Sequence, residues 1–273
     1  LALTDVDFAL ALFAPQAGQS AAEGLKWTTL KATAGSVALV GLPGSITATA
    51  KNLALDLNLV DTSGAKTAVI ADNKVIDFAG GANGGRKIAV ITGPTTTQAL
   101  DLDGRLGEVV RATGDVDLGV GDFFHLKGSL GFERRLQTVT LADGSSVKTQ
   151  MLGIGGTGLE AFVGLGPYQI QQNGQTVVNP DARGLRVSGV SFGVGLFAAA
   201  ADQSGYAGKR WTALTARVGA VDTLVGLPED IDLNIRSLGV DINLASGFTD
   251  PSNRVIDFAK APVQIATGTG QAL

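Results

Sequence analysis

The chain has 273 residues, 45% of them apolar and 17% charged, with a formal net charge of −4 and no cysteine. That balance buries a sizeable core and excludes disorder, and an acidic chain without a clustered basic surface is excluded as a nucleic-acid binder. The missing cysteine excludes thiol catalysis, cysteine–zinc sites and thiolate-held clusters, and no apolar run reaches the roughly 18 residues that cross a bilayer as a helix.

The sequence opens inside an apolar alternation with neither a basic start nor a cleavage site, so both ends read as cuts in a longer polypeptide. A recurring unit then organises it: a short apolar alternation, a slip of one residue, and a longer alternation. The unit occurs at Leu1–Leu12, Leu30–Leu42, Ile46–Leu59, Leu152–Leu165, Leu185–Leu196, Leu214–Leu227 and Ile231–Leu244. A period of two marks a half-buried strand, and an uncorrected slip would turn the rest of the strand to the other face. Either a β-bulge or a corner between two sheets restores it. The residues at the slips are small or polar: Thr4-Asp5, Lys51-Asn52, Ser188-Gly189 and Arg236-Ser237.

Between these units, residues 14–26 and 198–210 are connections rich in Ala, Gln and Gly, with Ala198–Ala201 able to form a helical turn. Residues 61–73 and 80–87 are loops, the Gly80–Gly85 run being irregular. Val110, Ala112, Gly114, Val116, Leu118 and Val120 alternate without a slip, and Phe124, Leu126, Leu130 and Phe132 follow in the same phase. Asp143-Gly144 and Asn173-Gly174, each between alternating runs, predict two-residue hairpins whose central residues both take positive φ.

The chain is also internally repeated, which governs any fold assignment. Leu1–Phe8 aligns with Leu185–Phe192, Trp27-Thr28 with Trp211-Thr212, and Val40–Pro43 with Val225–Pro228. Leu53, Asp56 and Asn58 align with Leu238, Asp241 and Asn243; Asn73–Ala79 aligns with Asn253–Ala259, and Gln98–Leu100 with Gln271–Leu273. Residues 1–184 are one full period, and residues 185–273 are the first part of a second. The expected fold is all-β: an elongated, repeat-built array of long, mostly antiparallel strands around a continuous apolar core. A parallel β-solenoid is the alternative, which the hairpins oppose.

Thr113–Phe124, Gly128–Glu133, the two Val-Gly-Leu-Pro copies and Gly189–Leu196 resemble repeats of very large bacterial cell-surface, adhesin-like proteins associated with RTX repeats. The resemblance covers most of the chain through its texture and glycine placement. It implies an extracellular or cell-surface location and an extended structural role. The RTX nonapeptide itself, Gly-Gly-x-Gly-x-Asp, is not present.

Several residues invite a chemical reading. Asp115, Asp117 and Asp122 form an acidic patch of the kind that calcium sites draw on, calcium being the one cofactor in view; a solvated strand face is the simpler account. Gly153-Ile-Gly155-Gly-Thr-Gly158 fits a dinucleotide pattern, but the next segment alternates as a strand rather than opening a helix. Gly189-Val-Ser191-Phe-Gly193 fits a nucleophile elbow, yet the only histidine, His125, precedes it and the stretch is strand-like. Asp77 and Asp257, and Asp56 and Asp241, occupy equal places in the two copies, where a bond to a nearby backbone N–H is the simplest role. Trp27 and Trp211, each after a basic residue, read as anchors at strand starts rather than sugar platforms.

These residues point to no enzyme. The leading expectation is a stalk, spacer or fibre in adhesion or matrix, partnered by neighbouring repeats or by copies of itself end to end. The alternatives are a calcium-assisted module binding surface glycan and a lipid-carrying β groove.

Overall fold

The computed structural model describes all residues except 1, 20–21, 39, 42, 44, 66–73, 80–85, 223, 227–233, 236 and 269. The Gly80–Gly85 run, Leu42, Leu227, Pro228 and Arg236 therefore lie outside the described residues.

Long strands form one open antiparallel sheet. In chain order they are β1 (Ala2–Phe13), β2 (Lys26–Ala38), β3 (Ile46–Asp61), then a short pair β4 (Ile88–Ile91) and β5 (Thr97–Leu100), followed by β6 (Val109–Val120), β7 (Phe124–Thr140) and β8 (Ser146–Leu165). A second short pair, β9 (Gln169–Gln172) and β10 (Gln175–Val178), precedes β11 (Arg183–Ala199) and β12 (Arg210–Asp222). The chain continues through β13 (Leu224–Val225), β14 (Asn234–Ile235) and β15 (Leu238–Ser246) to a last pair, β16 (Ala266–Gly268) and β17 (Gln271–Ala272). The sheet runs β1-β2-β3-β6-β7-β8-β11-β12, with β14 and β15 both on the far side of β12 and β13 on β11.

Every pairing among the described strands is antiparallel, which agrees with the long antiparallel strands expected and not with a parallel solenoid. The β7–β8 turn departs in detail. Leu141 N–H donates to the Ser145 carbonyl, so the loop has three residues, and only Gly144 takes positive φ, at 85°. This is a type I turn closed by a glycine bulge. Asn173 and Gly174 do both lie at positive φ, 53° and 77°. Ala198 and Ala199 end β11, and the helical turn falls at Ser204–Tyr206 instead.

The slips are bulges and backbone reversals, not corners. Asp5, Asn52, Gly128, Gly158 and Gly189 all have positive φ, a region that Gly, Asn and Asp enter at least cost. Register shifts fall between Lys51 and Ala54, between Lys127 and Ser129, and between Val187 and Val190. Gly35 faces Asp5, and an added Cβ there would lie 2.9 Å from Asp5 Oδ2. The irregularities thus form a line across the sheet, and the apolar face continues beyond it.

The two faces differ. On one, chain excursions cover the strands and build three buried clusters. The largest gathers Val139, Leu141, Val147, Met151, Phe197, Trp211 and Ile256. A second holds Ala9, Phe78, Leu100 and Leu102, and a third Phe162, Tyr168 and Ala182. The other face is bare. Register places Phe8, Ala32, Leu55, Ala112, Phe132, Ile154, Val194, Leu214 and Ile242 in one row across nine strands. The layer is single and open, so the sheet does not enclose the continuous apolar core expected. The chain exposes 15476 Å², against about 11,000 Å² for a compact monomer of this mass.

Candidate functional site

The excursions are held to the covered face by the same side chains in both halves of the chain. Trp27 Nε1 donates to the Lys74 carbonyl at 2.6 Å, and Trp211 Nε1 to the Arg254 carbonyl at 2.6 Å. Asn58 Nδ2 donates to the Ile76 carbonyl at 2.8 Å, and Asn243 Nδ2 to the Ile256 carbonyl at 2.7 Å. Asn58 is fully buried and also accepts from Thr29 Oγ1. Each pair strings one passing segment, 74–77 or 254–257, above the strands. Asp77 and Asp257 then cap the segment ends, accepting from the Ala79 and Lys260 backbone N–H groups at 3.0 Å. Both tryptophans sit second in their strands, as anchors at strand starts should.

Asp56 and Asp241 share a position but not a role, and neither makes the backbone bond expected of it. Asp56 lies 3.6 Å from Arg111, inside a row of alternating charge running Lys31, Asp56, Arg111, Glu133 across four strands. Arg111 Nε donates to Glu133 at 2.7 Å, Arg135 pairs with the other Glu133 oxygen, and Lys31 reaches Asp101 at 2.7 Å. Burial raises the Asp56 carboxyl above its ordinary value despite the opposing pull of Lys31 and Arg111. This row floors a polar cleft of about 810 Å³ between the two covering excursions. Its ion pairs satisfy one another, which is how charges persist in a half-buried setting.

The acidic patch is tied up locally. Asp115 accepts from Ser129 Oγ and from Asn52 Nδ2, the latter at 2.8 Å, and these bonds hold its carboxyl below the ordinary range. Asp117 Oδ1 lies 2.8 Å from His125 Nε2, while Asp122 is exposed in the β6–β7 turn. Among the described residues no three acidic or imidazole groups converge as a metal site would need. Beside His125, Tyr168 stacks on Phe162 at 4.8 Å and donates to Glu160, which also pairs with Arg186. The Arg186 bond holds the Glu160 carboxyl low, and burial with the Glu160 bond pushes the Tyr168 hydroxyl up to about 12.

The glycine patterns have a packing cause. Gly131, Gly153, Gly155, Gly193 and Gly195 lie on the covered face of β7, β8 and β11, directly below Ile265–Thr267. A Cβ on Gly131 would fall onto the Ala266 carbonyl, and one on Gly155 would approach it to 2.6 Å. The Gly-x-Gly spacing therefore clears alternate positions so that a second layer of backbone rests on the sheet. Ser191 lies mid-strand, with its hydroxyl 3.1 Å from Thr157 Oγ1. Sequence reasoning missed this saddle, although glycines two apart in neighbouring strands were its signal.

The bare face is the other surface of note. Phe8, Phe132, Ile154 and Ile242 of the nine-strand row keep 59, 40, 38 and 39% of their area exposed. No charged residue interrupts that row. An apolar depression of about 290 Å³ lies beside it, where Ala48 and Ala50 stand among Val116, Leu118, Leu126 and Leu130. Among the described residues no helix is long and apolar enough to cross a membrane.

No family model matches the chain, and neither the curated proteins nor the solved structures contain a significant match.

Proposed function

We propose that this chain is a structural, non-catalytic stretch of a long β array, serving as a stalk, spacer or fibre in a large surface protein. The observation that carries the reading is the doubled anchoring: Trp27 and Asn58 hold segment 74–77 as Trp211 and Asn243 hold segment 254–257. Six strands of the sheet separate the start of β1 from its sequence counterpart β11, and among the described residues no strand pairs with the outer side of β1 or of β15. Stacked units of this kind draw stability from their neighbours. The extracellular setting and the adhesin role rest on the resemblance in glycine placement. Neighbouring repeats, and copies of the chain end to end, are the partners this reading names.

The test is shape. Chains of one, two and three copies of residues 1–184 should scatter as particles that lengthen by roughly 29 Å per copy, six strands at about 4.8 Å each. A particle whose longest dimension stays constant as copies are added ends the reading.

A second reading, a lipid-carrying groove, is favoured by the bare uncharged row. Chain purified from cells without detergent would then carry acyl lipid, found by extraction and mass spectrometry. Lipid-free monomer excludes it.

A further inference from the structure

The two copies differ in what lies beside them. β11, which aligns with β1, has β8 on its outer side, paired from Arg183↔Leu165 to Ala199↔Thr149. Among the described residues no strand pairs with the outer side of β1. Three further features of the second copy depend on the β7–β8 hairpin. Segment 254–257 is bonded to the hairpin tip, with Ala142 N–H donating to the Val255 carbonyl at 2.9 Å and Asp257 N–H to the Thr140 carbonyl at 2.8 Å. Arg254 pairs with Asp143 in that tip. The β16–β17 hairpin rests on the glycines of β7 and β8.

The first copy has its half of each arrangement. Segment 74–77 repeats the sequence of 254–257, with Lys74 where Arg254 stands, so the cation is retained. The β4–β5 hairpin aligns with the β16–β17 region but rests on β1 and β2, and Ile91 is 80% exposed. Phe13 is only half-buried, whereas its counterpart Phe197 is buried against Met151 of β8.

We propose that the outer edge of β1, with segment 74–77 and the β4–β5 hairpin, is a docking site for a β-hairpin of the β7–β8 kind supplied by another copy of this repeat. The docked strand extends the sheet through backbone bonds, the mode by which exposed edges take up strands. Register follows from β11: Leu10 takes an Ile154-type partner and Leu12 a Leu152-type partner, as Val194 and Leu196 do. Ala9 and Ala11 face glycines, Lys74 meets an Asp143-type carboxylate, and Phe13 packs on a Met151-type side chain, as Phe197 does. The proposal rests on the array reading and adds the identity and register of the neighbour.

The test places residues 104–184 ahead of Leu1, so that Gly184 joins Leu1 as it joins Leu185. The chain has no cysteine, so Phe13→Cys gives a single thiol at a half-buried position that the docked strand would cover. Modification of that thiol should slow by roughly tenfold or more relative to the same substitution in the 273-residue chain, and the outward amides of β1 should gain exchange protection. Asp143→Lys in the added copy alone should restore much of the reactivity, and Lys74→Glu combined with it should slow modification again. Unchanged reactivity of the introduced thiol and unprotected β1 amides overturn the proposal. So does an added segment that stays unfolded beside an intact β1, since the edge is meant to order it. A chain that lengthens in scattering while the thiol stays reactive keeps the array reading and removes this one.

Discussion

The two halves of the sheet, each crossed by a covering segment that acts as a strap, carry the same anchors in different surroundings, and the contrast separates what a unit supplies from what its neighbour supplies. Trp211 is walled by Phe197, Met151 and Phe248 and is almost fully buried. Trp27 makes the same indole-to-carbonyl bond yet stays half-buried. The hydrogen bond belongs to the unit; of the apolar wall, Phe197 and Phe248 come from the second copy itself and Met151 from the preceding hairpin. Truncating the two rings breaks the comparison hardest. Trp211→Ala should cost about 3–5 kcal/mol, the range for emptying a well-packed aromatic site. Trp27→Ala should cost about half as much, because less of its surface is buried. Urea unfolding monitored by circular dichroism measures both, and equal losses would mean that the wall adds nothing.

The saddle comes next. Gly155→Ala forces a Cβ to within 2.6 Å of the Ala266 carbonyl, and lifting the strap should cost about 1–3 kcal/mol, as overpacking does. Gly205→Ala, where an added Cβ meets nothing within 4 Å, should stay within about 0.5 kcal/mol. Smaller than the Gly155 loss is that of the strap carbonyl bonds. Asn58→Ala and Asn243→Ala should each cost about 1–2 kcal/mol, with Asn58 the greater because it is fully buried and Thr29 loses its acceptor as well.

Much of this architecture was legible because β-strands write their geometry with period two. The phase slips predicted a device at Asp5, Asn52 and Gly189, and all three carry positive φ. Alternation could not tell a bulge from a corner, because both restore a face after one extra residue and only pairing across strands separates them. The repeated Trp, Asn and Asp pointed to anchoring, but not to what was anchored: a strap carbonyl lies 43 residues from Trp211 and 47 from Trp27. The expected enclosed core failed for a related reason. An apolar row records that a face is apolar, and it reads the same whether or not anything lies on top of it. The charged row of Lys31, Asp56, Arg111 and Glu133 was illegible singly, since each residue looks like a solvated strand position until register sets them side by side.

The finest comparison is between the twin aspartates, whose protonation should respond to surroundings in opposite directions. Asp56 lies between β2 and β6 under the first excursion, and burial raises its carboxyl above the ordinary value. Asp241 lies on β15, where bonds from Arg217 at 2.8 Å and Thr215 at 2.8 Å hold it below. For Asp56 the folded state binds the proton more tightly than the unfolded chain does. Its contribution to stability is therefore most favourable below the ordinary carboxylate value and declines as pH rises through the raised one. For Asp241 the sign reverses: its contribution is present above the ordinary value and is lost as pH falls through the lowered one. Carboxyl-carbon NMR between about pH 2 and 7 should place the Asp56 midpoint above that of Asp241. Replacing Asp56 by Asn should flatten the decline in unfolding stability on the alkaline side of about pH 4, and replacing Asp241 by Asn should soften the loss on the acid side. Coincident midpoints would mean that position in the repeat, and not cover by the neighbouring strand, governs these groups. If Asp241 rose when a β6-type strand was added beyond β15, cover would be established as the cause.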